Sequence, residues 1–334
     1  MLRGQRVLLI APSFFDYEKD IICELEGLGA KVDFFDERPF QSSFLKILIR
    51  LGLKFLVSKS IIKYFQGIIE QCLIVKYDFL LVISPETMPE DFLIKLKEIS
   101  PDTKKILYMW DSIANKSASS IIPFFDKIFT FDKEDASSIK NACFLPLFYS
   151  FPSNLDFLNV DSRKRYFLSF IGTVHSDRVC LIEKLFRQLG YENENALKYL
   201  YCPSKLLFTL KKTFTNEFDD ISLRDVTFSK LNRNEVLDIF SDSKIIIDIH
   251  HPGQKGLTMR TLEVIGLQRK LITTNEDVVH YDFFNPSNIL VIDRYNPVIP
   301  DSFINSEYSP LDCDILNSYS LRTWVCKVFD CTPK

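Results

Sequence analysis

The stretch SKIIIDIHHPGQKGLTMRTLEVIGLQRKLITTN, Ser243–Asn275, decides the fold class. SKIIIDIHH opens with the most apolar strand pattern of the second half, and RKLITTN closes with another short apolar run. Between them Pro252, Gly253 and Gly256 punctuate a turn, and LTMRTLEVIGL carries helical spacing with Thr258 near its cap. A strand, a turn, a helix and a second strand in this order form one unit of a parallel sheet covered by helices.

Working outward, the same alternation fills both halves of the 334-residue chain. In the first half RVLLIAP reads as a strand, YEKDIICELEGLGA as a helix with glycines near its end, and KVDFFDE as a second strand. YDFLLVIS, KKILYMWDS and KIFTFD add three strands, with the helix PEDFLIKLKEIS among them. Tyr149–Arg165, YSFPSNLDFLNVDSRKR, breaks the pattern and reads as an interdomain linker. The alternation restarts with the strand YFLSFIGT, the helix RVCLIEKLFRQLG, the strands KYLYC and DVTFSK, and the helix NRNEVLDIFSDS; NILVID follows the opening stretch. The expectation is α/β: two Rossmann-like, doubly wound domains, residues 1–155 and 156–334, with the last helix able to pack back on the first.

Composition narrows the function classes. An apolar fraction of 46% and a charged fraction of 25% describe a folded globular chain. A net charge of −3 speaks against a dedicated nucleic-acid binder, because phosphate backbones are held by clustered cations. Eight scattered cysteines with no CxxC pair are expected to be reduced thiols of a cytoplasmic protein. The start, MLRGQRVLLIAPS, is too short in apolar length for a signal peptide or a membrane span. Residues 43–63, SFLKILIRLGLKFLVSKSIIK, set Lys46, Arg50 and Lys54 at four-residue steps on one helical face. That face suits a buried helix with a basic stripe or a helix lying on an anionic membrane surface.

Ligands of open parallel sheets sit beyond the carboxyl ends of the strands, so polar residues there are the candidates. After YFLSFIGT, Gly172 would allow close approach to the backbone, and Thr173, His175 and Arg178 offer donors at a helix start. Taken by itself, Gly172 reads as a simple tight turn. After SKIIIDIHH, His251, the amides of Gly256, Leu257 and Thr258, and the helical residues Arg260, Thr261 and Glu263 form a second group. Arg260 and Glu263 are three apart and share a face: a cation for a diphosphate and a carboxylate for a ribose diol, or else a surface ion pair. In the first half, Asp111 in YMWDS and Glu86 in VISPET follow strands and are the candidate general bases, although Asp111 also suits a cap. Adjacent histidines on a strand face opposite ways, so His250 and His251 are not read as ligands of one metal. The DxD triplet Asp312–Asp314 follows no clear strand and is read as chance. No Walker loop, GxGxxG, GxSxG or HExxH occurs.

HPGQKGLTMRTLEVIGLQRKLITTN, with HYDFFNPSNILVID and SFIGTVHSDR, resembles the donor-binding half of GT-B glycosyltransferases. It is most similar to the CgeB-like bacterial group that builds lipopolysaccharide and other surface polysaccharides. The resemblance implies two domains facing a cleft. Glu263 would hold the ribose, Arg260 and the amides of Gly256–Thr258 the diphosphate, and Gly172, His175 and Arg178 the phosphate or sugar side. Many retaining relatives carry a glutamate eight residues before the ribose-binding one; here that position is Lys255, which leans the expectation towards inversion. The implied activity is transfer of a sugar from a nucleotide-sugar donor to an O-antigen or capsule-type glycan acceptor, lipid-linked at the inner membrane face. Neither metal nor cofactor is expected. The alternatives are a sugar-nucleotide epimerase of the same fold and a non-catalytic nucleotide- or glycan-binding partner.

Overall fold

The computed structural model describes residues 2–38, 57–111, 118–151, 165–174, 177–189, 195–214, 221–251 and 255–332. Two compact units emerge: Met1–Leu147 with Leu321–Lys334, and Phe148–Ser320.

In the first unit six strands run β1 (Arg6–Ala11), β2 (Lys31–Asp36), β3 (Phe79–Ile83), β4 (Lys104–Met109), β5 (Lys127–Thr130) and β6 (Ala142–Phe144). Their order is β2-β1-β3-β4-β5-β6, and every pairing is parallel. The helices are α1 (Tyr17–Gly27), α2 (Ser58–Ile74), α3 (Glu90–Ile99) and α4 (Lys133–Ser138). Helix α1 ends where Gly29 takes φ 93°, a left-handed turn that sends the chain into β2. Val7–Ala11 of β1 and Leu80–Ile83 of β3 are fully buried, as expected of central strands covered on both faces.

In the second unit the strands are β7 (Tyr166–Thr173), β8 (Ala196–Tyr201), β9 (Ser243–Asp248), β10 (Lys270–Thr273) and β11 (Ile289–Val291), in the order β11-β10-β9-β7-β8, all parallel. The helices are α5 (Arg178–Gln188), α6 (Lys205–Phe214), α7 (Arg233–Ser241), α8 (Met259–Gly266), α9 (Asp301–Asn305) and α10 (Cys313–Ser318). The last helix, α11 (Leu321–Val328), belongs to the first unit, where Trp324 meets Tyr108 edge to face at 4.7 Å and Arg322 pairs with Glu24 at 3.0 Å.

The doubly wound α/β architecture is as the sequence predicts, with local differences. The division falls at Leu147/Phe148 rather than at 155/156. Tyr149, expected in the linker, donates from its N–H to Tyr319 O at 2.9 Å and stacks with Phe151. Both rings lie against α8 at Gly266, where a Cβ would come within 2.5 Å of Tyr149. DVTFSK makes only an isolated bridge, Thr227 to Tyr201 at the end of β8. Of the helix expected over 43–63, the part from Ser58 on lies in α2; residues 43–56, with Lys46, Arg50 and Lys54, lie outside the described residues. Among the described residues no helix is long and apolar enough to cross a membrane.

Each sheet has one place where the chain reverses its direction of winding: between β1 and β3 in the first, between β7 and β9 in the second. Connections leave the two neighbouring strands to opposite faces there, opening a crevice at their carboxyl ends.

Candidate functional site

In the second unit the crevice lies between the ends of β7 and β9. Asp248 closes β9 with its side chain 2% exposed. Its Oδ2 accepts from the hydroxyls of Thr258 (2.6 Å) and Thr261 (2.9 Å), and Oδ1 accepts from Arg260 Nη1 at 3.2 Å. Thr258 also caps α8, its Oγ1 accepting from the Thr261 N–H at 3.1 Å. Asn275, just past β10, holds the preceding turn by donating from Nδ2 to Lys255 O (3.1 Å) and Gly256 O (3.2 Å). A buried carboxylate surrounded by donors thus ties the start of α8 to the strand end.

Three arginines meet around this hub. Arg178, first residue of α5, donates from Nη2 to Ile249 O at 2.5 Å, and its buried Nε has no partner among the described residues. Arg294, past β11, grips Asp177 with Nε and Nη2 (2.5 and 2.9 Å) and reaches His250 O with Nη1 at 3.1 Å. Burial, then Arg260, pull the Arg178 pKa down to about 10; Asp248 opposes them, Arg294 adds to them, and Asp177 opposes. Among the described residues, three arginines face the carboxylates of Asp248 and Asp177 next to a helix amino terminus. The local balance favours a bound anion. His250 shares a 2.8 Å hydrogen bond with Thr274 Oγ1, and burial followed by Arg294 lowers its pKa, which favours the neutral ring.

The sequence-derived candidates divide. Arg178, Arg260, Thr258 and the Gly256 turn gather at this edge. Thr173 is exposed at the end of β7, and His251 is exposed beyond β9. His175, Pro252 and Gly253 lie outside the described residues. Gly172 is buried near the end of β7, where a Cβ would come within 2.6 Å of the Phe170 ring, so packing alone already favours a glycine there. The Leu257 side chain is core, and Thr261 turns inward to Asp248. Arg260 pairs with Asp248 at 3.2 Å, and Glu263 turns towards Arg233. Glu263 is 5% exposed, and its Oε1 stands 3.7 Å from Arg233 Nε, whose guanidinium also donates to Ser150 O at 2.5 Å.

In the first unit the crevice lies between β1 and β3. Ser84, with φ 41°, follows β3 and accepts through Oγ from the N–H groups of Trp110 (2.8 Å) and Asp111 (3.3 Å). Asp111 and Glu86 therefore stand on one sheet edge, and both are partly exposed. The buried Glu37, just past β2, accepts from the N–H groups of Glu86 and Thr87, and Thr87 Oγ1 donates to Glu37 O at 2.6 Å.

No protein-family model and no curated protein sequence matches the chain. Solved structures do. The N-terminal domain of Candida albicans trehalose-6-phosphate phosphatase superimposes with a TM-score of 0.62 at 10% identity, covering 98% of this chain and 97% of that one. The fold is GT-B. Apo OtsA matches at 0.59 with 9% identity over 98% of this chain and 100% of its own. The UDP-GlcNAc 2-epimerase of Methanocaldococcus jannaschii matches at 0.55 with 12% identity over 98% and 100%. At these identities the likeness is one of GT-B fold, two Rossmann-like domains in one chain.

Asp248, Arg294, Asn275 and Glu37 stand at these edges, and the sequence alone does not single them out. A polar residue ending an apolar strand is the available signal for Asp248 and Glu37. Nothing local marks Arg294, whose partner Asp177 is 117 positions away. The DxD aspartate Asp312 serves the fold by capping α10, its Oδ1 accepting from Asp314 N (2.8 Å) and Ile315 N (3.4 Å). Among the described residues no group of three or more His, Cys, Asp and Glu is placed to hold a metal.

Proposed function

We propose that the protein is a glycosyltransferase that moves a sugar from a nucleoside-diphosphate sugar to a glycan hydroxyl. The carrying observation is the gathering of Arg178, Arg260 and Arg294 beside the start of α8, with Arg178 Nε buried and without a partner among the described residues. A departing nucleoside diphosphate gains negative charge, and fixed cations with a helix terminus stabilise that charge without rearranging. The arginines and the Gly256–Thr258 amides hold the diphosphate, and no metal is required. Glu263 takes the ribose diol, in exchange for part of its pairing with Arg233. Asp111 or Glu86 removes the proton from the acceptor hydroxyl, and Lys255 in place of a second carboxylate leans the stereochemistry towards inversion.

The CgeB-like motifs favour a lipopolysaccharide, O-antigen or capsule-type acceptor, handled at the inner face of the cytoplasmic membrane, with 43–63 as the membrane contact. A second reading, epimerisation of the sugar nucleotide, draws on the epimerase fold match. Incubation with donor alone separates the two, since only an epimerase interconverts sugars without an acceptor.

The primary test is a thermal-shift screen against UDP-, GDP-, CMP- and dTDP-sugars. A donor held by the native state raises the melting temperature, and Arg178→Ala abolishes that rise. No shift with any donor, or a shift unchanged in the variant, overturns the proposal.

A further inference from the structure

Among the described residues of the first unit, Glu37 is the most buried of the acidic and basic residues, at 0% exposure, and stands at the carboxyl edge of its sheet. One carboxyl oxygen, Oε1, accepts from two successive backbone amides, those of Glu86 and Thr87. The other, Oε2, is buried with no partner among the described residues. The Thr87 hydroxyl returns a third bond to Glu37 O. These bonds tie the end of β2 to the segment after β3, and Ser84 in that segment continues the tie to Asp111.

We infer that Glu37 is a positioning residue: it fixes the Ser84–Thr87 segment and thereby sets where Glu86 stands at the sheet edge. The inference rests on the transfer reading only for what Glu86 then does.

The charge state of Glu37 makes the tie depend on pH. Burial pushes its carboxyl up to about 7, against 4.5 for an ordinary glutamate; the Thr87 and Glu86 amides pull it down, and the Glu86 charge pushes it up. The other groups nearby are Tyr64 of α2, whose hydroxyl donates to Asp36 O at 2.9 Å, with Asp36 and Arg38 beside Glu37 in sequence. Burial, then Asp36 and Glu37, raise the Tyr64 pKa to about 12, so it stays neutral. A raised pKa means the folded segment prefers the neutral acid, so the stabilisation is complete below about 4.5 and is lost as the pH rises to about 7.

Amide hydrogen exchange on the full chain, corrected for intrinsic rates, tests this without any substrate. In the wild type, protection of the Glu86 and Thr87 amides is expected to fall as the pH rises from about 4.5 to about 7. Glu37→Gln keeps an acceptor oxygen but cannot titrate, so its protection is expected to be flat across that window. Glu37→Ala leaves two amides without an acceptor and is expected to speed their exchange about tenfold or more at every pH. A wild-type slope that persists in Glu37→Gln overturns the inference, as does exchange in a folded Glu37→Ala that matches the wild type. Should Glu37→Ala fail to fold, Glu37→Gln alone decides. Kinetics then separate the two levels. If Glu37→Gln alters exchange but leaves the pH dependence of kcat untouched, Glu86 is not the base; the transfer reading fails there while the positioning role stands.

Discussion

The two carboxyl edges of this molecule are built alike and charged oppositely. Each lies where the winding of a parallel sheet reverses. The first presents the carboxyl groups of Glu86 and Asp111, held in place by the buried Glu37 and by Ser84. The second presents arginines, Arg178, Arg260 and Arg294, organised around the buried Asp248. One architecture yields two chemistries because the sheet supplies only the place, while the few residues just past each strand supply the charge. An acidic edge suits proton removal from a hydroxyl, and a cationic edge suits a departing diphosphate.

The sharpest way to break this comparison is at the acidic edge. Asp111→Asn is expected to lower kcat by about a hundred- to ten-thousand-fold with donor affinity unchanged, measured by steady-state kinetics beside calorimetry. Normal turnover moves the role to Glu86, and normal turnover in Glu86→Gln as well removes proton transfer from this edge. At the cationic edge, Asp248→Ala withdraws the acceptor shared by Thr258, Thr261 and Arg260 and is expected to cost about 3–5 kcal/mol in urea unfolding. A loss below ~1 kcal/mol would mean that the arginines hold their places without a central carboxylate. Arg178→Ala is expected to weaken donor binding by about a hundredfold, equivalent to roughly 3 kcal/mol, by calorimetry. Its effect should grow as salt is lowered only where the arginine is exposed, so weak salt dependence supports a buried contact. The smallest effect is expected at Gly172. Alanine there forces the Phe170 ring aside, for about 1–3 kcal/mol of stability by thermal unfolding, and leaves donor affinity intact.

Legibility follows the range of the interactions. Strands such as RVLLIA and SKIIID announce themselves because both their faces are buried, and Thr258 is recognisable as a cap from its place before the helix. The three-residue strand β6 is too short to register, and α6 goes unread because its leucines Leu206, Leu207 and Leu210 face outward, against the usual amphipathic sense. At the site, Arg178 and Arg260 are visible as helix-start cations following strands. Glu263 is visible too, but its burial against Arg233 is not, since that partner comes from another helix, 30 positions earlier.

The amino-acid sequence by itself determined that this chain folds as two doubly wound halves, since periodicity and turn chemistry act between near neighbours. It also determined which strand ends carry polar residues. The tertiary structure alone decided which of those residues meet. Arg294 reaches Asp177 across 117 positions, and Glu37 reaches Glu86 across 49. Only the packed sheet closes such distances, and only burial in it raises the Glu37 carboxyl to about 7 and lowers Arg178 to about 10.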